Sequence, residues 1–153
     1  MEPGNCSSIW WLHKFNGPGI RYKVGTCIQT AEIVWFRGPF PCNFSDRDIF
    51  DTFLSEKLIP GEGVEADSGY SGRPQIFVPG VAQTSVKRKQ KSQVCGQHKN
   101  VNGQLKVFGV MKRWDNHDTA KHALFARCVA IIVQLSFTLG EKLYDVEYMA
   151  NYD

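Results

Sequence analysis

The sequence predicts a layered α/β fold, because strand-like runs come first and helical patterns come later. Apolar and polar residues alternate at 20–29, and shorter β-prone runs lie at 9–15 and 33–36. The turn signal NGPG at 16–19 separates the first two of these runs. We therefore predict an antiparallel meander of two or three strands, which ends at the GPFP segment, 38–41.

A helix and two short strands are predicted after the meander. Ser45 or Asp46 can cap a helix, and apolar residues up to Leu54 then recur on one face of it. Glycines bound a short run at 64–67 and prolines bound another at 74–79, so both are predicted as strands. This order predicts helices packed on a sheet whose first strands are antiparallel.

Two long helices complete the predicted fold. Apolar residues at near-heptad spacing indicate a helix over 93–113. The most hydrophobic segment, about 119–139, is predicted to be a buried core helix, because its uninterrupted apolar runs are far shorter than a membrane span requires. A terminal strand or extended tail is predicted at 143–149. The 153 residues have the size of one domain with one core, which we assign to 1–153.

Composition narrows the class of protein. The five cysteines are odd in number and widely spaced, and no zinc-finger spacing occurs, so neither a zinc site nor a disulfide framework is predicted. Reduced thiols in an intracellular protein are the simplest interpretation. Glu2, Pro3 and Gly4 stand where a signal peptide would have a basic end, so secretion is not expected. A net charge of +3 is too small to indicate a particular class of binding partner.

The stretch 61–72, GEGVEADSGYSG, carries the main candidate for chemistry. Asp67 ends a predicted strand, and functional sites collect where strands end. Glu65 shares its face of the strand, because side chains alternate. The alternative is that Asp67 only begins an Asx-type turn, since a single Asp before a Gly-rich segment is common.

A dense basic run, VKRKQK, lies at 86–91. One interpretation is a solvated loop or the start of a helix. The other is a set of contacts to the phosphate backbone of a nucleic acid. The residues alone leave both open.

Five segments resemble, in order, the catalytic domain of eukaryotic Harbinger-type DDE transposases, also called DDE superfamily endonucleases. Any one segment is a weak signal, but the set in the family's order is a strong one and covers almost the whole chain. The resemblance implies a ribonuclease-H-like fold with a mixed sheet and helices packed on it. The segments are HKFNGPGIRYKVGTCIQTAEIVWFRGPFPC (13–42), DRDIFDTFL (46–54), LIPGEGVEADSGYSG (58–72), QHKNVNGQLKVFGV (97–110) and HDTAKHALFARCVAIIVQL (117–135).

The resemblance also implies an activity, metal-dependent cleavage and transfer of DNA strands in the nucleus. Such enzymes use three acidic residues to hold two divalent cations, Mg²⁺ or Mn²⁺, at the reacting phosphate. Asp67 matches the second acid, and His98 lies beside the position of the third. DNA is the implied partner. Recognition of a specific sequence is expected to need further regions or a partner protein.

Two of the three acids have no match in this chain. The third belongs to an arginine-histidine-glutamate motif that here reads QHK, and the Lys99 ammonium cannot ligate a cation. The first lies on a strand upstream of the matching segments, so we expect a domain that is truncated and lacks its first strand. Neither Glu2 nor Asp46 stands at a motif position that would replace it. We therefore predict an inactive domain whose metal binding is impaired.

Three functions are compatible with these residues. The first is a transposase-derived protein without nuclease activity, which a pair between Lys99 and Asp67 in the place of the cation would favour. The second is a DNA- or protein-binding module with a basic surface. The third is a nuclease that uses an unusual ligand such as Glu65, or a strand supplied by a partner protein. The candidates for nucleic-acid contact are Lys87, Arg88, Lys89, Lys91, His98 and Asn102, and the basic surface further includes Lys106, Lys112 and Arg113.

Overall fold

The structure, a computed structural model, describes residues 8–13, 16–78, 84–112 and 118–140. Within these residues the chain is a mixed α/β protein, as predicted, with four α-helices and six strands. The strands form three separate two-stranded sheets instead of one continuous sheet. The strands are β1 (Trp11–Leu12), β2 (Gly17–Pro18), β3 (Arg21–Thr26), β4 (Ile33–Phe40), β5 (Val64–Glu65) and β6 (Ile76–Phe77). The helices are α1 (Asp46–Phe53), α2 (Ser85–Val107), α3 (Gly109–Lys112) and α4 (Thr119–Thr138).

The predicted meander is split into two hairpins. β1 pairs antiparallel with β2, so the turn signal at 16–19 is partly strand. β3 pairs antiparallel with β4 in a second sheet. Separation into two sheets depends on pairings between distant residues, which the local alternation of side chains does not encode.

β4 continues to Phe40, four residues beyond the predicted 33–36, and passes through Gly38 and Pro39. The register shifts opposite Tyr22, so the extra residue forms a β-bulge, a position where a strand tolerates proline. Gly38 has a φ of 141°, and a β-carbon there would lie 2.6 Å from the Tyr22 ring. The glycine that looked like a strand terminator is therefore what lets the two strands approach.

α1 begins where the sequence predicted. The Ser45 hydroxyl accepts a hydrogen bond from the Asp48 N–H at 3.0 Å and caps the helix. Ile49 and Phe50 are both 1% exposed, so the inner face of α1 is fully buried. This anchoring fixes the first turn of α1, which carries Asp46, next to the loop that follows β5.

α2 begins at Ser85, eight residues before the predicted start, and includes the whole basic run. Thr84 caps it, because its hydroxyl accepts from the Lys87 N–H at 3.4 Å. The predicted continuous helix to residue 113 was wrong, since Phe108 adopts an extended ψ of 124° and the short α3 follows. The run at 86–91 is therefore helical and not a loop.

α4 starts after an Asp118 cap and closely matches the predicted 119–139. By length and composition alone it could cross a membrane, with a mean hydropathy of 1.4, a test that core helices also pass. One side of α4 lies in the core, while the other carries large exposed apolar residues, so the predicted burial holds for one side only. The predicted terminal element at 143–149 lies outside the described residues. The main buried cluster consists of Val101 and Leu105 from α2 with Val129, Ala130 and Val133 from α4.

A buried histidine joins α4 to β3 and α3. The Tyr22 hydroxyl lies 2.8 Å from Nδ1 of His122, and Nε2 lies 3.0 Å from the Val110 carbonyl oxygen. A carbonyl only accepts, so Nε2 carries the proton and Nδ1 accepts from the hydroxyl. Burial raises the pKa of Tyr22 to about 12. This chain of two hydrogen bonds fixes β3 against the helical layer.

Candidate functional site around Asp67

Asp67 lies at the carboxyl end of β5, as the sequence predicted. β5 pairs parallel with β6, and the Ala66 N–H still donates to the Phe77 carbonyl at 3.0 Å. Immediately afterwards, the Asp67 Oδ1 accepts from the Gly69 N–H at 2.9 Å and caps a single turn of 3₁₀ helix, Ser68–Tyr70. The Asx-type turn is thus present, and it leaves the Asp67 carboxylate exposed at the surface.

α1 holds the loop that carries Asp67. The Arg47 guanidinium donates to the Ser71 carbonyl at 2.9 Å. One turn later, Asp51 accepts two hydrogen bonds from Arg73, of which the one from Nε measures 2.7 Å. The Arg73 guanidinium lowers the pKa of Asp51, so the pair remains charged at neutral pH. The site is therefore a loop fastened to a helix whose inner face is buried.

A second carboxylate, Asp46, approaches Asp67, although sequence motifs assigned it no part in the site. A β-carbon added to Gly69 would lie 3.0 Å from Asp67 Oδ1 and 3.7 Å from Asp46 Oδ2, so both carboxylates converge on this glycine. The Ser45 cap, which places Asp46 in the first turn of α1, is the only local signal for it. The two carboxylates belong to residues 21 apart in sequence, and no motif carries the information that they approach the same glycine.

Two cations from β3 already neutralise Asp46. Its Oδ1 lies 2.6 Å from the Lys23 ammonium and 2.9 Å from an Arg21 guanidinium nitrogen. The Lys23 ammonium also lies 5.3 Å from the centre of the Tyr70 ring. Burial is the main cause that raises the pKa of Tyr70, and the Asp46 and Asp67 carboxylates add to it. Lys23 is thus the cation that the chain itself places at this site.

The three side chains of the QHK segment, 97–99, lie in different environments: the core, the neighbourhood of Lys23 and the solvent. Gln97 is 1% exposed, and its amide nitrogen donates to the Ile28 carbonyl at 3.3 Å. His98 is partly buried, and burial together with the nearby Lys23 ammonium lowers its pKa. Lys99 is exposed and forms no ion pair with Asp67. The expected pair between Lys99 and Asp67 is absent, and Lys23 stands at the site instead.

The side chains of the basic run, 86–91, do not all point to the same side of α2. The Lys91 ammonium forms an ion pair with Glu65 at 3.1 Å and donates to the Val78 carbonyl at 2.9 Å. The Glu65 side chain is only 8% exposed. Lys91 therefore holds α2 against β5 and is unsuited to contact phosphate, and Glu65 is unsuited to hold a metal. By contrast, Arg88 and Lys89 are exposed.

A stripe of positive charge runs along the outside of α2. Arg88, Lys99 and Lys106 are all exposed and recur at intervals of eleven and seven residues, about three and two helical turns, so they lie on one side of the helix. We call these three residues the basic stripe. It extends over ~27 Å of helix. Asn102 is partly buried beside it, while Lys112 is exposed on α3 and Arg113 lies outside the described residues.

The donor set around Asp67 does not fit a two-metal centre. In the described ranges, no three side chains among His, Cys, Asp and Glu group in a way that could hold a metal ion. A pair of divalent cations bridging phosphate oxygens needs several free carboxylates, whereas Asp46 is engaged by Lys23 and Arg21. What the arrangement offers chemically is one exposed carboxylate, Asp67, near a second carboxylate, Asp46, that two cations already engage.

Comparison with protein-family models, curated proteins and solved structures yields no match for this chain.

Proposed function

We propose that this chain is a transposase-derived, DDE endonuclease-like domain of ribonuclease-H-like ancestry that does not cleave DNA. The ordered resemblance of five segments supports the ancestry, and so does the position of Asp67 just after a strand. The observation that carries the loss of cleavage is the Lys23 ammonium, 2.6 Å from Asp46. The Lys23 ammonium neutralises the Asp46 carboxylate, which lies close to Gly69 as the Asp67 carboxylate does. The same positive charge repels a divalent metal.

A plasmid-nicking assay tests this proposal. Supercoiled DNA is incubated with the wild-type chain and with Asp67→Ala, purified identically, in Mg²⁺ and in Mn²⁺. We expect the same background nicking from both proteins. Nicking by the wild type that the Asp67→Ala variant lacks would contradict the proposal.

Thermal unfolding in the same metals gives a readout that does not depend on turnover. A ligand bound only by the folded state raises the midpoint by mass action. We expect no difference between the metal-induced shifts of the wild type and Asp67→Ala. A shift confined to the wild type would show that Asp67 still holds a cation.

The basic stripe favours a second function, DNA binding without cleavage. α2 carries six basic and no acidic residues, so nothing on this helix neutralises Arg88, Lys99 and Lys106. The residues between them on the same side, Ser92 and Cys95, are small and exposed, which lets a phosphate backbone approach the helix closely. Contacts of this kind position a protein on DNA without reading its sequence. We infer a nuclear location from the resemblance to eukaryotic transposases.

The salt dependence of the affinity distinguishes contacts to phosphate from nonspecific apolar adsorption. Affinity for a short DNA duplex, measured by fluorescence anisotropy, should fall steeply with salt, with a log–log slope of about −0.9 for each phosphate contact. Replacing Arg88, Lys99 and Lys106 by Gln should make the slope about 3 units shallower and weaken binding ~10–100-fold at low salt.

The matched control removes three exposed cations elsewhere, at Lys57, Lys121 and Arg127. Its net charge equals that of the stripe variant, so it isolates position from total charge. Equal losses of affinity in the two triple variants would contradict a specific role for the basic stripe.

A further inference from the structure

The outward side of α4 is apolar from Leu124 to Leu135, beyond the exposed Lys121 in the first turn of the helix. We call this set of residues the α4 apolar face. The six Leu, Ile and Phe residues expose about half or more of their surface, and Cys128 is also exposed. The one charged residue of α4 after Lys121 is Arg127, which borders this side next to Leu124 and Ile131. The face consists of Leu124 (61% exposed), Phe125 (57%), Cys128, Ile131 (60%), Ile132 (49%), Leu135 (53%) and Leu139 (85%).

The spacing of these residues is that of a helix–helix seam. Leu124, Cys128, Ile131 and Leu135 follow one another at intervals of four, three and four residues. This alternation is the knobs-into-holes pattern of helices that pack along their length. The core residue Val133 lies on the opposite side of α4, at 2% exposure, so the helix is apolar on two sides. Helices of this kind are normally covered on both sides.

The exposed area is large enough for a stable interface. From the exposed fractions, and a full surface of about 200 Å² for each side chain, the face presents on the order of 700 Å² of apolar surface. The largest apolar patch on a typical monomer is roughly 300–600 Å². A standard protein interface buries about 800 Å² on each partner, so one more copy of the same face supplies the matching area.

We propose that the α4 apolar face forms a homodimer interface, with two copies of α4 packed antiparallel. An isologous contact needs only one self-complementary surface, which this face provides. The described residues of α4 include no acidic side chain, so a parallel arrangement would place Lys121 and Arg127 beside the same cations of the partner. The antiparallel arrangement separates these charges and sets each helix N-terminus beside the partner's C-terminus, which the helix dipoles favour.

Two native cysteines provide a test that needs no variant. Cys128 lies within the α4 apolar face, and Cys95 lies on the outer side of α2; both are exposed in one chain. A short pulse of N-ethylmaleimide, followed by peptide mass spectrometry, measures their relative labelling. From submicromolar to hundreds of micromolar protein, we expect the ratio of Cys128 to Cys95 labelling to fall at least ~5-fold. Light scattering should show the mass rising from 17.3 kDa to a plateau at twice that value.

A pair of charge-introducing variants locates the interface. Ile131→Glu places a carboxylate at the centre of the face and should remain at 17.3 kDa with a constant labelling ratio. Ile59→Glu makes the same change at a residue that is 70% exposed outside α4, and it should behave like the wild type. Circular dichroism of both variants checks that they fold.

Three outcomes would overturn the proposal. One is a wild type of 17.3 kDa with an unchanged labelling ratio at every concentration. The second is a mass that climbs past the dimer without a plateau, because this is unspecific association. The third is a chain that stays monomeric in buffer but floats with neutral phosphatidylcholine vesicles in a way that Ile131→Glu abolishes, which would assign the face to lipid.

Discussion

α2 and α4 are the two long helices that the structure describes, and both contribute to one core. The sides that they expose to solvent differ in chemistry, because one is basic and the other is apolar. α2 buries Val101 and Leu105 and presents the basic stripe outward. α4 buries Val129 and Val133 and presents an apolar face outward. The core-facing sides are interchangeable in kind, whereas the outward sides suit different partners. The side of each helix that does not enter the core is therefore the one from which we infer a partner.

The largest effect is expected where α2 enters the shared core. Leu105→Ala removes a side chain that is 3% exposed and leaves a cavity against α4, so it should lower the free energy of unfolding by ~2–5 kcal/mol. Val107→Ala, two residues further on, changes a side chain that is 68% exposed and should cost less than about 0.5 kcal/mol. Chemical denaturation measures both, and equal losses would show that the two sides of α2 are wrongly assigned.

The next effect separates the inward lysine of the basic run from its outward neighbour. Lys91→Ala removes the ammonium that pairs with the buried Glu65 and should cost ~2–3 kcal/mol, because a buried carboxylate without its counterion is expensive. Lys89→Ala changes an exposed residue of the same type and should be nearly neutral in stability. Urea denaturation at neutral pH compares them. If Lys91→Ala leaves the free energy of unfolding unchanged, the ion pair contributes nothing to holding α2 on β5.

A smaller effect is expected where α4 meets β3. Tyr22→Phe removes the hydroxyl that donates to His122 and leaves Nδ1 of a buried ring without that donor, at a cost of ~1–2 kcal/mol. The wild type should also lose stability as the pH rises above 10, since the unfolded chain releases the Tyr22 proton there while the folded chain retains it to about 12. Thermal melts across this range should show a shallower alkaline decline in Tyr22→Phe. An identical decline would remove Tyr22 as its cause.

The smallest effect concerns the histidine that α2 directs towards Lys23. Its pKa is lowered in the folded chain, so the unfolded chain binds the proton first as the pH falls below the ordinary histidine value of about 6.5. Stability should therefore be complete above that pH and decline below it. His98→Gln should lessen the decline between neutral and mildly acidic pH. Melts of both proteins test this, and parallel curves would count against His98.

Local signals predicted the starts of α1 and α4 and missed the start of α2. The Ser45 cap indicated the start of α1, because a cap and the apolar face beyond it are neighbours in sequence, and the hydrophobic segment at 119–139 indicated α4. The start of α2 was predicted too late, because the basic run lacks the apolar periodicity that indicates a helix. Its Thr84 cap was the signal available for an earlier start.

The candidate site was predictable in its centre and not in its surroundings. Asp67 could be placed at the end of a strand from glycines and alternation alone. Its approach to Asp46, and the arrival of Lys23 from β3, required the packing of three elements. Lys99 was expected at the site from a motif position, but its helix turns it to solvent while His98 faces inward. One residue of rotation, ~100° on a helix, separates these two outcomes.

Two consecutive residues of β3, Tyr22 and Lys23, link α4 to the site around Asp67. Tyr22 bonds to His122 on α4, and the next residue, Lys23, pairs with Asp46 beside Asp67. A single peptide unit thus connects the helix that carries the apolar face to the charge balance of the acidic site. A partner that shifts α4 against β3 would move the Lys23 ammonium relative to Asp46, and thermodynamic reciprocity requires the converse. We expect a partner bound to the α4 apolar face to alter the ion pair between Lys23 and Asp46.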